Sequence, residues 1–201
     1  MKTDQECIYY ITAESFLSAK SSPHLEIFRK KGIEVLLLSD RVDEWLVSNL
    51  PEFDGKKLKS VTMGKLDIKD DETEVDEEKK AQTEKDFESI LKQVKEVLGD
   101  KIKEVRLTDR LTDSPACVVA DEGFSMHMQR LMSSAGQTMP KVVPTLELNP
   151  KHRLIEQLKN EQDDDRFADW TLLLFDQAML AEAGHLEDPA AFVQRINKYL
   201  K

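Results

Sequence analysis

Three carboxylates stand where α/β enzymes place their chemistry: Asp40 follows an apolar run, Ile33 to Leu38, and Asp43 and Glu44 come one turn later. Ligand sites in open α/β sheets lie outside the carboxyl ends of strands, so this trio could hold magnesium or let Asp40 accept a phosphoryl group. The same residues also suit helix chemistry, with Asp40 as the cap and Asp43 and Glu44 enriching a positive N-terminus. A small α/β enzyme or phospho-acceptor switch centred on Asp40 is therefore one reading. Other chemistry is poorly provided for. His24, His127, His152 and His185 lie in separate segments without metal-ligand spacing and read as surface or capping residues. Cys7 and Cys117 sit in short apolar runs without redox or metal spacing, which suits buried free thiols. The seven glycines form no phosphate-cradling loop, and no catalytic triad assembles.

A second pattern suits binding. In Phe124-Ser-Met-His-Met-Gln-Arg-Leu-Met132, residues Phe124, Met128, Leu131 and Met132 fall at i, i+4, i+7 and i+8. Methionine is flexible and polarizable, so a Met-rich helix face can take varied apolar partners; the same spacing also describes an ordinary core face. The weakly structured exit, Ser133 to Gln137, would let such a helix move.

The elements that must position these residues read as α/β followed by α+β. Cys7–Thr12 reads as a strand and 13–20 as a short helix; Ser22-Pro23 opens a helix that Gly32 closes. The run 33–38 has the continuous apolar character of a strand covered on both faces. A helix follows with Val42, Trp45, Leu46 and Leu50 near one side, ended by Pro51; Asp54-Gly55 is a turn, and 58–63 an edge strand. This is a small parallel-sheet α/β subdomain, residues 1–66. Acidic residues crowd 67–80, which reads as a self-repelling linker. Residues 81–201 form the second domain: a helix through Phe87 and Val94, strands at 102–108, 116–120 and 145–148, helices at 124–135 and after Pro150, and a terminal helical hairpin.

The hairpin carries three apolar stripes on its first helix: Phe167, Trp170, Leu174, Ala178 and Ala181; Leu172, Phe175 and Met179; Leu173 and Leu180. Gly184 supplies a left-handed cap, Asp188-Pro189 starts the second helix, and Phe192, Val193, Ile196, Tyr199 and Leu200 form its apolar side. Two helices cannot cover three stripes. Either upstream elements bury them, or a second copy packs its own hairpin there and forms a dimeric four-helix bundle. Asp176 and Gln177 keep the apolar stretch too short to span a bilayer.

The chain has 201 residues, 39 acidic and 29 basic side chains and a net charge of −10. That balance argues against nucleic acid or an anionic membrane as partner. No signal peptide is evident, so a cytoplasmic location is expected. Met1-Lys2-Thr3 runs into the first strand with no leader, as a fragment of a longer protein or a natural start would.

Seven strings tie these segments together: Ser21-Ser-Pro-His-Leu-Glu26, Lys31-Gly-Ile-Glu-Val-Leu-Leu-Leu-Ser-Asp40, Asp43-Glu-Trp45, Glu52-Phe-Asp-Gly-Lys56, Val105-Arg-Leu-Thr-Asp-Arg-Leu-Thr-Asp-Ser-Pro115, Glu147-Leu-Asn-Pro150 and Asp176-Gln-Ala-Met-Leu-Ala-Glu182. With them the chain resembles the ninety-kilodalton heat-shock chaperone family in its bacterial form over nearly its whole length. The resemblance implies the last α/β subdomain of the family's middle domain joined to the C-terminal dimerisation domain. ATP, magnesium and the ATPase domain would then lie outside this chain, leaving it without cofactor or catalytic residue. Partly folded client proteins would contact Glu44, Trp45, Phe124, Met128, Leu131 and Met132; Phe124 stands where related bacterial members can carry methionine. A homodimer would form through Phe167, Trp170, Leu174, Met179, Phe192, Ile196, Tyr199 and Leu200. The acidic tail that recruits helical-repeat cochaperones in eukaryotic members has no counterpart before Lys201, so those partners are not expected.

Overall fold

The computed structural model describes residues 5–64, 74–121, 125–137 and 142–200, with side chains from 78 onward in the second stretch. The first unit is built on β1 (Cys7–Thr12), which pairs in parallel with β2 (Val35–Leu38) on one side and β4 (Lys56–Ser60) on the other. The two-residue β3 (Glu52–Phe53) pairs antiparallel with β4, giving the order β2-β1-β4-β3. Asp54 and Gly55 both have positive φ, 50° and 73°, as a two-residue hairpin turn requires. Because β3 takes the outer position, β4 is internal and not the edge strand expected. Conversely β2, expected to be covered on both faces, is at the edge. Val35 and Leu37 pack inward on Ile11, Ala19 and Phe28, while Leu36 is exposed.

Three helical segments flank this sheet. Helix α1 (Phe16–Ser21) starts later than expected, where Ser15 Oγ accepts from Ser18 N at 3.1 Å. A 3-10 turn at Pro23–Leu25, capped by Ser22, leads into α2 (Glu26–Lys31), which ends on left-handed Gly32. Helix α3 (Asp43–Asn49) follows β2 and stops before Pro51.

The second unit has a three-stranded sheet in the order β5 (Val105–Leu107), β7 (Thr145–Leu148), β6 (Ala116–Val119), with β7 parallel to β5 and antiparallel to β6. Around it lie α4 (Glu74–Leu98), α5 (Met126–Ser134), α6 (Arg153–Lys159), α7 (Asp164–Ala183) and α8 (Pro189–Tyr199). Phe87, Ile90, Val94 and Leu98 of α4 share one core with Val118, Leu146, Leu148, Ile155, Phe167, Leu174 and Phe175. Helix α4 begins at Glu74, so the last part of the supposed linker is helical; Glu, Lys, Gln and Ala, which dominate 77–85, are strong helix formers whatever their charge. The rest of that acidic run, 67–73, lies outside the described residues.

The two units are joined by specific polar contacts. Thr62 and Gly64 exchange backbone bonds with Ala120, at 3.2 and 3.0 Å. Glu26 accepts the amides of Thr112, Asp113 and Ser114 and the Ser114 hydroxyl, at 2.5–3.2 Å. Burial opposes ionisation of Glu26, but these donors outweigh it and hold its carboxyl below the usual range. Arg110, itself buried, donates to the Val61 and Gly64 carbonyls at 3.0 Å and ion-pairs with Glu147 at 2.7 Å. It also donates to His24 Nδ1 at 3.2 Å, and a guanidinium has no acceptor to offer. His24 therefore carries a proton on Nε2, 3.1 Å from Glu182. His24 is thus a buried seam residue, not the surface or capping residue expected of every histidine. His152 does cap, accepting from Leu154 N at the start of α6.

Candidate protein-binding site

The Glu44-Trp45 pair is split by the twist of α3. Glu44 and Val47, three residues apart, face inward and are buried. Trp45, Val42 and Leu46 face out, with 44%, 66% and 48% of their surfaces exposed. An amphipathic helix ordinarily buries its apolar stripe; α3 buries a carboxylate and leaves the stripe in water. Phe53 on the β3 edge is exposed as well.

Burial of Glu44 is possible because a donor meets it. Ser125 Oγ, also buried, donates to Glu44 Oε1 at 2.9 Å and accepts from Met128 N at 2.8 Å as the N-cap of α5. One hydroxyl thereby starts α5 and docks it beside α3. Burial raises the Tyr10 phenol above its ordinary value, the nearby Glu44 charge adds to this, and a hydrogen bond with Ser60 opposes it. Ser125 is the residue the sequence reading missed; Ser ahead of a Met-rich helix is an N-cap signal, but nothing local marks its long-range partner.

Helix α5 presents less than its stripe suggests. Met128 is buried, as is Met126, whereas Leu131 and Met132 are half-buried. Phe124, expected on the same stripe, lies outside the described residues. Arg130 pairs with Glu14 at 2.7 Å and donates to the Ala183 carbonyl at 3.1 Å, tying α5 to the first unit and to the end of α7. Gly184 there has φ 72°, and a Cβ would meet Glu14 and Arg130 at 3.5 and 3.8 Å.

Asp40, Asp43 and Glu44 do not converge. Asp43 accepts the Asp40 amide at 2.8 Å, Glu44 turns to Ser125, and the N-cap position of α3 is Val42, not Asp40. Among the described residues no three His, Cys, Asp or Glu side chains are grouped to hold a metal. Burial pushes the Cys117 thiol well up, away from nucleophilic chemistry; Cys7 is only half-buried.

The terminal hairpin divides in two. Phe167 and Leu174, expected at a dimer interface, are buried in the chain's own core, because α7 lies against the β-sheet and α4. Trp170, Met179, Phe192, Ile196 and Tyr199 are half-buried, and Leu180, Val193 and Leu200 are exposed, Leu200 by 76%. Helix α8 has no buried residue. It is held to α7 by Arg195–Asp176 at 2.8 Å, Lys198–Asp169 at 2.5 Å and the Tyr199 hydroxyl on Asp169 at 2.8 Å, with the Trp170 and Tyr199 rings 5.0 Å apart. Among the described residues no helix is long and apolar enough to cross a membrane.

The family described as "Hsp90 protein" matches residues 1–201. The chaperone protein HtpG of Nitrosococcus oceani is 57% identical over the full chain, that of Colwellia psychrerythraea 54% and that of Legionella pneumophila strain Paris 56%. The chain spans 31–32% of the length of these relatives. With the family's pattern running through every element described above, the chain belongs to the Hsp90 family of chaperones.

Proposed function

We propose that this chain is the last α/β subdomain of a middle domain joined to the C-terminal dimerisation domain of an Hsp90-type chaperone, and that it binds partly folded client proteins as a homodimer. The observation that carries client binding is the outward apolar face of α3, Val42, Trp45 and Leu46, beside an α5 that keeps Leu131 and Met132 half-open. Exposed apolar segments of a client meet this surface, and its basic segments meet the acidic surroundings of a chain with net charge −10. Met128 and Glu44 act from beneath by setting α5 against α3. Contacts of this kind are weak and interchangeable.

Dimerisation is supported by α8, whose apolar side the chain itself leaves without one buried residue. A second copy packing there would cover Val193 and Leu200 together with Leu180 of α7 and would bury about 2,000 Å² or more. ATP and magnesium belong to parts of the longer protein outside these 201 residues, and the chain alone has no catalytic role. It acts in the cytoplasm, and its net charge of −10 disfavours nucleic acid and anionic membranes as partners.

The test is fluorescence anisotropy with a permanently unfolded client, alongside sedimentation. Trp45→Ala with Leu131→Ser should weaken client binding about tenfold or more, as loss of two apolar anchors implies, while the dimer persists. Unchanged affinity would remove the site assignment. Deleting 185–201 should yield monomers.

A further inference from the structure

The first unit holds an apolar groove of about 550 Å³ between α1, α2 and β2, and none of its lining residues belongs to α3. Leu17, Leu25, Phe28, Val35 and Leu37 are among its lining residues, and Leu17 is 72% exposed. No strand lies beyond β2 among the described residues, so its outer side offers backbone groups to a further strand. Lys20 and Arg29 stand exposed on the groove, Arg29 also donating to the Lys20 carbonyl. On a chain of net charge −10 this is a local reversal of sign.

We propose that the open edge of β2 accepts an extended segment of a non-native protein as an added strand, with alternate apolar side chains in the groove and carboxylates beside Lys20 and Arg29. The pleat explains the fit. A strand about 4.8 Å beyond β2 carries every second side chain on the face of Val35 and Leu37, which is the groove face. The intervening side chains lie on the face of exposed Leu36. Backbone bonds give affinity independent of sequence and the groove selects alternating apolar residues; an unfolded chain supplies both. A helical or compact partner supplies no free backbone, which is why an extended segment is the occupant. The nature of the ligand rests on the chaperone reading above, while the site does not overlap α3 or α5.

The probe is a short peptide alternating Leu and Thr and ending in two Glu, and a second version N-methylated at alternate amides. With the 201-residue chain, the first should slow amide hydrogen exchange at Val35–Leu38. N-methylation, or the Lys20→Glu/Arg29→Glu variant, should each weaken binding about tenfold, as loss of two hydrogen bonds or a charge pair implies. Leu17→Asp, at an exposed position, should do the same without unfolding the chain. Equal affinity for the methylated peptide overturns the inference, as does self-association abolished by Leu17→Asp, which would make a second copy the occupant. Protection confined to 42–46 and 126–132, lost in Trp45→Ala, overturns the added strand and leaves the chaperone reading standing. Protection of β2 that survives in Trp45→Ala supports it, even where the unfolded client ignores α3.

Discussion

Helices α3 and α7 treat apolar residues in opposite ways. Helix α7 is apolar on most of its circumference, and the chain takes Phe167, Leu173, Leu174, Phe175 and Ala178 into its own core, along with Thr171. Helix α3 has a single apolar stripe and turns it to solvent, burying Glu44 and Val47. What decides is the neighbour each helix finds. Helix α7 meets β6 and α4, which are apolar where they touch it; α3 meets the hydroxyl of Ser125, which suits a carboxylate and not a tryptophan. The outcome is that Val42, Trp45 and Leu46 stay in solvent on α3, while α7 keeps its large apolar side chains mostly within the chain.

The sharpest way to break that contrast is to truncate one side chain on each helix. Leu174→Ala removes a fully enclosed side chain and should lower unfolding free energy by about 2–5 kcal/mol, read by urea denaturation. A loss below about 1 kcal/mol would mean that α7 is not packed as described. Glu44→Ala comes next. It strips the buried Ser125 hydroxyl of its acceptor and should cost about 1–3 kcal/mol, with faster hydrogen exchange in the first turn of α5. If exchange there is unaltered, Glu44 does not position α5.

The sequence carried the local half of this architecture. Strand β1 ends where its β-branched and aromatic run ends, β7 ends ahead of Asn149-Pro150, and the hairpin is bounded by Gly184 and Asp188-Pro189 as capping chemistry requires. What it did not carry are choices made between distant segments. Leu36 and Val35 look alike in the run 33–38, and only strand order reveals that one face is open. Glu26 with 112–114, Arg110 with His24, and Glu44 with Ser125 are all pairings more than 80 residues apart. Of the candidate site, periodicity placed Val42, Trp45 and Leu46 on one side of a helix, but could not say that the side faces water.

The setting of α3 and α5 depends on the seam between units, and Glu26 gives a pH handle on it. Its folded carboxyl is held below the ordinary value, so the stability it adds is present above the unfolded carboxyl's titration range and is lost as pH falls through the lower folded value. Glu26→Gln should lower stability at neutral pH and make the acid limb of the stability curve shallower, in denaturation series run from neutral to acid. Parallel curves for the two proteins would show that the three amides hold a glutamine as well as a carboxylate.

The smallest effect belongs to the most conspicuous residue. Trp45→Ala removes a large aromatic ring that is 44% exposed, so the loss of unfolding free energy should stay well below that of Leu174→Ala, at about 1 kcal/mol. Its cost should fall instead on client binding. A tryptophan retained mainly for packing would reverse the two outcomes, with stability dropping and affinity for an unfolded chain holding steady. Comparing Trp45→Ala with Leu174→Ala in the same two assays therefore separates a helix face that serves the fold from one that serves a partner.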